Sequence, residues 1–325
     1  MGKDVVALGE LLVDFISEGT GPQGNPLFEA NPGGAPCNVL ALLSKHGRDV
    51  AFIGKVGDDF LGSMLAEKAA AQGIDLQGLF RDPAVPTTLA FVHKKENGDR
   101  DFSFYRNPGA DVMLTAAEVE SCRELIASAR IFHFGTLSMT EQGCYEATKL
   151  AVDIAKGAGV ICSFDPNYRE PLWKSREDAL AAIRYGLSVC DVLKISDNEI
   201  ELLTGTQDID EGIGRIVSEY NIPLVFATLG PDGSRAYYRG KCAAVHPGFR
   251  NPDTIETTGA GDTFCGSALG FVLKYGLDGL DADKLAETLE FANAAASVIT
   301  TRKGALAVMP PLSEVEEYLR IRKQG

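Results

Sequence analysis

Residues 255–273 read IETTGAGDTFCGSALGFVL, a glycine-rich segment with one acidic residue that leads directly into a long apolar run. Gly259 and Gly261 allow the backbone to approach a ligand closely. A helix is predicted to follow these glycines. Free N–H groups at the start of that helix form an anion site, which the helix dipole strengthens. Because the apolar run predicts a buried helix, this segment suits a phosphate group better than bulk solvent.

Asp262 stands at the end of the glycine-rich segment, and two interpretations are open for it. A lone Asp before a helix is commonly its N-cap. An acid beside an anion site would partly cancel that site, however, which favours a base that accepts the proton of an attacking hydroxyl. Phosphoryl transfer needs such a base, donors to the moving phosphoryl group and a metal on the other phosphates.

Apolar, β-branched segments alternate with helical segments along most of the chain. Examples are a strand over 5–9, a helix over 36–47, a strand over 50–57 and the helix that follows it. The alternation predicts an α/β fold with a central, mostly parallel sheet flanked by helices. Because it continues without a linker, we expect one domain over 1–325. Ligands of such sheets bind beyond the carboxyl ends of the strands.

Two segments break this alternation. Residues 89–106 carry Asn97-Gly98 between two half-alternating arms, which predicts a β-hairpin. We expect it to belong to a small separate sheet, a β lid formed by about 11–32 and 87–112. Residues 234–247 predict a second antiparallel pair, at the edge of the main sheet.

Composition limits the classes of partner. Lys and Arg number 31 against 45 Asp and Glu, a net charge of −14, which disfavours a nucleic-acid partner because phosphate backbones bind basic faces. Seven scattered cysteines without a C-x-x-C pattern indicate a reduced, cytoplasmic protein. The N-terminus lacks a signal peptide, and the long apolar run is too short to span a membrane.

Several common site motifs are absent or lack their context. The sequence holds neither a P-loop nor H-E-x-x-H, and its histidines show no ligand spacing. The G-x-G-x-x-G pattern at 19–24 is followed by Asn25-Pro26 rather than a helix, so we reject it as a dinucleotide site. His133 is expected to be a core or strand-end residue.

Two long segments, residues 33–62 and 257–270, resemble the two signatures of the ribokinase-like carbohydrate kinases, also called PfkB kinases. The resemblance extends over the whole chain and is nearest to the fructokinase members. The segments that resemble those members most are GELLVDF (9–15), FYRNPGAD (104–111), FDPNYREPLW (164–173) and KISDNEIELLTG (194–205). The resemblance implies a ribokinase-like fold and an ATP-dependent kinase that uses Mg²⁺. We expect transfer of the γ-phosphoryl of ATP to D-fructose, giving fructose 6-phosphate.

The resemblance also assigns the catalytic groups. Asp262 is implied as the base, and the N–H groups of Gly259, Ala260 and Gly261 are implied as the anion hole. Loss of an anion-hole donor typically costs about 3 kcal/mol of barrier.

Seven residues are implied as sugar contacts: Asp14, Gly33, Gly34, Asn38, Phe104, Arg106 and Arg169. Asp14 would accept bonds from two adjacent hydroxyls, and the lid would bring Phe104 and Arg106 over the sugar, which shuts out water. Two alternatives stay open: Asn38 as an amide on a helix surface, and Arg169 in a surface salt bridge.

Six residues are implied as nucleotide contacts: Lys194, Glu199, Thr228, Gly230, Gly233 and Asn293. Glu199 belongs to the family's Asn-x-x-Glu pattern and would lie near Mg²⁺ through water. Ser196 stands at the Asn position of that pattern, which leaves its role in holding water open. Glu256 and Thr258 are candidates for a monovalent-cation site, and activation by K⁺ stays open because Glu256 replaces the family's more usual Asp.

Three other functions are alternatives to fructose phosphorylation. A 2-keto-3-deoxygluconate kinase is the main rival, because it shares the segments that begin at Gly33 and Phe164, and ribokinase is a weaker one. FYRNPGAD favours fructose, since an acid substrate calls for extra cationic groups at the lid. A non-catalytic sugar- or nucleotide-binding protein is disfavoured by the intact Asp262 and glycines.

The resemblance and the small core of the lid also lead us to expect a homodimer through the lid.

Overall fold

The structure is a computed structural model that describes residues 2–94 and 100–323. The predicted turn at Asn97-Gly98 therefore lies outside the described residues. The strands in chain order are β1 (Val5–Leu8), β2 (Leu12–Thr20), β3 (Pro26–Gly33), β4 (Val50–Gly57), β5 (Asp75–Asp82), β6 (Leu89–Lys94), β7 (Arg100–Tyr105), β8 (Ile131–Gly135), β9 (Ile161–Asp165), β10 (Val192–Ser196), β11 (Leu224–Thr228), β12 (Ser234–Tyr238) and β13 (Lys241–His246).

The helices alternate with these strands. They are α1 (Ala35–Lys45), α2 (Phe60–Ala71), α3 (Ala116–Ser121), α4 (Arg123–Ala127), α5 (Gln142–Gly157), α6 (Arg176–Val189), α7 (Asp197–Thr204), α8 (Ile209–Tyr220), α9 (Ala260–Tyr275), α10 (Ala282–Ile299) and α11 (Leu312–Arg322). In the described ranges, no helix combines the length and the apolar character needed to cross a membrane.

The main sheet has the strand order β13-β12-β11-β10-β9-β8-β1-β4-β5. All neighbours from β11 to β5 are parallel, whereas β12 and β13 continue the sheet as an antiparallel pair. The predicted parallel α/β sheet and the predicted antiparallel pair at its edge are thus confirmed. Because the parallel strands share one direction, their carboxyl ends meet at one edge of the sheet.

Both faces of the main sheet are covered. Val5 and Ala7 of β1 point into one apolar cluster, and Val6 and Leu8 point into the other. This alternation follows from the two-residue period of a strand, and all four side chains are fully buried. A parallel sheet buried on both sides explains why its strands read as continuous apolar runs.

The small sheet has the order β3-β2-β6-β7. β6 and β7 pair antiparallel, with Leu89 opposite Tyr105, which confirms the predicted hairpin arms. β2 joins them in parallel, and β3 pairs antiparallel with β2. The rejected glycine pattern at 19–24 begins in the last residues of β2 and continues into the turn before β3, and Gly19 and Gly24 both have positive φ.

Helix α9 is the buried helix that the sequence predicts. Its residues from Thr263 to Leu269 are all buried, and it packs closely on α1. A side chain at Gly266 would place its Cβ 3.0 Å from Leu42 Cδ2 and 3.1 Å from the carbonyl oxygen of Val39. The glycine therefore lets the two helices approach, and this contact fixes the start of α9 relative to α1.

Candidate active site

A cavity of about 820 Å³ lies beyond the carboxyl ends of β1, β9 and β10 and extends to the small sheet. Segments from several parts of the chain form its wall. The wall residues are Glu10, Leu12, Asp14, Gly34, Ala35, Asn38, Phe104, Leu137, Asn167, Arg169, Lys194, Ser196, Glu199, Thr254, Ile255, Glu256, Thr257, Thr258, Gly259, Gly261 and Asp262. Most of the predicted catalytic and sugar-contact residues therefore share one cavity.

Asp262 lies in the first turn of α9, with its carboxylate on the cavity wall. The residue that caps this helix is Gly259, whose φ of 76° is left-handed, so the interpretation of Asp262 as an N-cap is wrong. Asn38 Nδ2 donates a hydrogen bond to Asp262 Oδ2 over 2.7 Å. The loss of solvent around the carboxylate raises the pKa of Asp262 to about 6, although the bond from Asn38 acts in the opposite direction.

The helix that carries this carboxylate begins with backbone N–H groups that are not all paired within the helix. The first hydrogen bond of α9 runs from the N–H of Thr263 to the carbonyl of Gly259 over 2.8 Å, so the N–H groups of Gly261 and Asp262 have no acceptor within the helix. The N–H of Ala260 donates instead to the carbonyl of Thr257 over 3.2 Å, and Ala260 does not line the cavity. The N–H groups at this helix start that keep no intrahelical acceptor are therefore those of Gly261 and Asp262, and the anion hole itself stays a prediction.

Lys194 provides a buried cation under the start of α9. Its Nζ lies 3.0 Å and 3.2 Å from the two carboxylate oxygens of Asp165 at the end of β9. Burial alone would lower the pKa of Lys194, but the charges of Asp165 and Glu199 raise it, so the ammonium stays charged. A Cβ at Gly261 would lie 3.3 Å from Nζ, which shows how closely the cation approaches the anion site.

Two glycines make room for the part of the cavity wall near Asp14 and Glu10. A Cβ at Gly33 would lie 2.1 Å from Asp14 Oδ2, so only glycine lets the carboxylate occupy its position on the wall. Gly34 has a φ of 126°, and its Cβ would lie 2.3 Å from the carbonyl oxygen of Glu10. The structure thus gives a steric reason for the two glycines of this sequence motif.

Asn38 is buried, with 4% of its surface exposed, so the interpretation as a surface amide is wrong. While its Nδ2 bonds to Asp262, its Oδ1 is buried without a partner among the residues that the structure describes. A buried oxygen without a donor is costly. A ligand hydroxyl in the cavity would satisfy it.

Arg106 does not lie over the cavity, and this differs from the expectation. Its side chain is 4% exposed and forms an ion pair with Asp111, with Nη2 2.6 Å from Oδ2. Nη1 donates to Thr140 Oγ1, and Nη2 also donates to the carbonyl of Leu137. Asp111 binds the guanidinium and so holds it behind the wall, whereas Phe104 on the same hairpin does line the cavity; a contact from Arg106 to a sugar stays a prediction.

Arg169 lies exposed at the rim of the cavity, where Nη1 donates to the carbonyl of Tyr168 over 3.0 Å. It forms no ion pair with any residue that the structure describes, so the alternative of a surface salt bridge is not observed. Its charge lowers the pKa of Asp262 slightly, as a cation that faces the same cavity would.

The predicted nucleotide residues divide into two groups. Lys194 and Glu199 line the cavity, whereas Thr228, Gly230 and Gly233 lie on or just after β11, outside its wall. Asn293 also lies outside the wall, where its Nδ2 donates to Ser234 Oγ and to the carbonyl of Leu289. Contacts from these four residues to a nucleotide stay predictions.

The carboxylate of Glu199 fits a water-mediated contact to a metal. Its two oxygens each accept one backbone N–H, from Tyr168 and Ser196, both over 2.8 Å, and each keeps a lone pair for water. Within 2–94 and 100–323, no group of three or more His, Cys, Asp or Glu side chains could hold a metal.

Glu256, the candidate for a monovalent-cation site, is buried on the cavity wall. Its Oε1 accepts the N–H of Gly304 over 2.8 Å. Thr258 lines the same stretch of wall, between Glu256 and the start of α9. The two candidate residues therefore share one region beside the anion site.

Glu10 is a wall residue that the sequence analysis did not assign. It follows β1, is 4% exposed, and its Oε1 accepts the N–H of Ala35 over 2.7 Å. Burial raises the pKa of Glu10 to about 7. The available signal was its position directly after the first strand, where ligands of parallel sheets bind.

The chain matches the model of the pfkB family carbohydrate kinases over residues 2–311. It is 41% identical over 317 residues to fructokinase-1 of Zea mays, and the match covers 97% of each protein. Among solved structures, its fold is similar to a fructokinase from Xylella fastidiosa with bound ATP, with a TM-score of 0.88, 31% identity and 99% of both chains covered. It is also similar to a fructokinase double mutant from Vibrio cholerae with fructose, ADP and potassium bound, with a TM-score of 0.85, 29% identity and 98% and 99% of the chains covered. The chain therefore belongs to the pfkB family of carbohydrate kinases.

Proposed function

We propose that the protein transfers the γ-phosphoryl group of ATP to D-fructose and releases fructose 6-phosphate. The observation that carries this proposal is the position of Asp262 in the first turn of α9, where N–H groups lack an acceptor within the helix, on the wall of the cavity that Asp14 and Asn38 also line. An acceptor for a hydroxyl proton and donors for a phosphoryl group thus lie next to each other.

In the proposed reaction, Asp14 and Asn38 hold sugar hydroxyls, and Asp262 accepts the proton of the hydroxyl that attacks the γ-phosphorus. The N–H groups of Gly261 and Asp262 stabilise charge on the moving phosphoryl oxygens, with Lys194 beneath them. Mg²⁺, when bound to the nucleotide, would neutralise phosphate charge, and Glu199 would hold one of its waters. Closure of the small sheet, which carries Phe104, would exclude water from the reaction.

The charges of the wall support a neutral sugar over 2-keto-3-deoxygluconate. Five carboxylates line the cavity, from Glu10, Asp14, Glu199, Glu256 and Asp262, against two cationic side chains. One of those cations is already paired with Asp165. A sugar acid would therefore meet a mostly acidic wall, whereas fructose offers hydroxyls to the same oxygens.

A panel of sugars tests the proposed substrate. We expect kcat/KM for fructose to exceed that for 2-keto-3-deoxygluconate, ribose and nucleosides by at least about tenfold, in a coupled assay of ADP release. Running the panel with and without KCl tests whether the region of Glu256 and Thr258 binds a monovalent cation, as the potassium in the similar Vibrio structure suggests. Equal or greater turnover of another sugar would contradict the proposal of fructose.

The pH dependence of kcat/KM tests the role of the base. Because Asp262 must be deprotonated to accept a proton and its pKa is raised to about 6, activity should fall tenfold per pH unit below about pH 6. In Asn38→Ala the hydrogen bond that lowers this pKa is lost, so the inflection should move to higher pH. Glu10→Gln is the control, since Glu10 is a second carboxyl on the cavity wall and burial raises its pKa to about 7. An inflection that moves with Glu10 instead would refute the assignment.

The homodimer through the small sheet also stays a proposal. Phe15, Phe28 and Tyr105 surround the ring of Phe91 in that sheet, and Tyr105 is 65% exposed. An exposed aromatic surface on a small sheet is typical of an interface. Light scattering of the protein and of Tyr105→Glu would show whether this surface joins two copies.

A further inference from the structure

Arg106 and Asp111 form a buried ion pair directly behind the wall of the cavity. Nε and Nη2 of Arg106 lie 2.8 Å and 2.6 Å, respectively, from Asp111 Oδ2. The Arg106 side chain is 4% exposed and the Asp111 side chain is 1% exposed. The other oxygen, Oδ1, accepts the hydroxyl of Thr88 over 2.5 Å. The pair is thus held on both sides and cannot easily be solvated by water.

The guanidinium is close enough to the cavity to act on a ligand there. Nη2 donates to the carbonyl of Leu137 over 2.7 Å, and Leu137 lines the cavity. Arg106 also follows Phe104, another wall residue, by two positions along the hairpin. Its charge also acts on a third wall residue, Glu10. Burial raises the pKa of Glu10, and the charge of Arg106 offsets part of that rise.

We propose that Asp111 is a specificity-determining residue, because it neutralises Arg106 behind the wall and so makes the cavity select neutral ketoses over sugar acids. This inference rests on the proposed function and deepens it. Without Asp111, an uncompensated guanidinium in a low-dielectric region would attract a carboxylate in the cavity. With Asp111 in place, Arg106 carries no uncompensated charge, and an acid at this part of the wall faces Glu10 and Asp14, so specificity arises partly by exclusion.

The competing explanation is that the pair only anchors the hairpin to the body of the protein. Thr88 lies just before β6 and Arg106 just after β7, so Asp111 does join both ends of the hairpin. An anchor would affect all sugars alike in every variant that weakens it. A charge effect instead predicts opposite changes in selectivity when opposite charges are removed.

The test measures kcat/KM for fructose and for 2-keto-3-deoxygluconate in four variants of the full chain. In Asp111→Asn, we expect the ratio of acid to fructose to rise at least about tenfold, and in Arg106→Gln we expect it to fall. In the double variant Arg106→Gln/Asp111→Asn, which leaves no lone buried charge, the ratio should return to within about threefold of the unmodified protein. Glu118→Gln is the matched control, since it removes a carboxylate from the ion pair with Lys55, outside the cavity wall.

The inference would be overturned if the acid-to-fructose ratio of kcat/KM in Asp111→Asn stayed within threefold of the ratio in the unmodified protein. It would also be overturned if that ratio rose equally in the double variant. If the Asn variant does not fold, as its thermal unfolding will show, the opposite shift in Arg106→Gln and the neutral double variant still decide the matter. Failure of the proposed function looks different, because the unmodified protein would then phosphorylate fructose no better than 2-keto-3-deoxygluconate, or not at all. That result would overturn both proposals, whereas fructose turnover with an unchanged ratio would overturn this inference alone.

Discussion

Replacement of Asp262 by Asn is expected to lower kcat for fructose by about 10³-fold or more. General-base catalysis contributes about 10²–10⁴-fold to a proton-transfer step, and an amide cannot accept the proton. The amide has the same shape as the carboxylate and can still bond to Asn38, so binding of sugar and ATP should change little. Steady-state kinetics and calorimetric titration of each ligand would separate the two effects.

Asp283→Asn is the matched control for this substitution. Asp283 also lies in the first turn of a helix, α10, but it is exposed and does not line the cavity. Its replacement should leave kcat within about twofold. A kcat for Asp262→Asn close to that of the unmodified protein would refute the base assignment.

Replacement of Asp262 by Asn should also stabilise the folded protein at neutral pH. The folded-state pKa of Asp262, about 6, lies above its ordinary value of 3.8, so the folded state holds the proton more tightly than the unfolded chain. The free energy of unfolding therefore falls as the pH rises from 4 to 6, and the loss is complete above pH 6. Asn cannot ionise, so Tm of the variant should exceed that of the unmodified protein at pH 7 and approach it near pH 4.

Replacement of Gly34 by Ala is expected to have the largest effect on folding. The φ of Gly34 is 126°, which side chains rarely adopt, and the new Cβ would lie 2.3 Å from the carbonyl oxygen of Glu10 and 3.2 Å from Leu11 Cα. These are backbone atoms, so the loop between β3 and α1 must shift. Strain and displacement together should lower the free energy of unfolding by at least about 3 kcal/mol. Any folded fraction should bind fructose weakly, since Gly34 lines the cavity.

Gly47→Ala separates backbone strain from the steric contact. Gly47 follows α1 with a φ of 78°, and no atom lies within 4 Å of the position its Cβ would take. Its replacement should cost only about 1 kcal/mol. Denaturant unfolding of both variants measures the difference, and equal losses at the two positions would contradict the steric explanation.

The sequence predicted those elements whose local pattern agrees with their tertiary surroundings. The apolar runs of β1, β4 and β10 are buried on both faces, and such runs are a direct signature of a parallel sheet. Strand β5 has no clear pattern and was not predicted. It lies at the edge of the main sheet and is half exposed, so its residues are under weaker constraint.

The parts of the site that could not be predicted depend on contacts between distant segments. Asn38 and Asp262 are 224 residues apart, and only the packing of α9 on α1 brings them together. The pairing of Lys194 with Asp165 follows from the adjacency of β9 and β10, which the order of strands along the chain does not state. For Arg106, the sequence pattern gave the right hairpin but did not show which acid would hold the side chain.

The most direct test of the account is a crystal structure with fructose, ADP and aluminium fluoride, an analogue of the transferring phosphoryl group. The account predicts fluorides within hydrogen-bond distance, about 3 Å, of the N–H groups of Gly261 and Asp262, and a fructose hydroxyl at a similar distance from the Asp262 carboxylate. An analogue bound away from the start of α9, or a fructose whose hydroxyls do not reach Asp262, would contradict it.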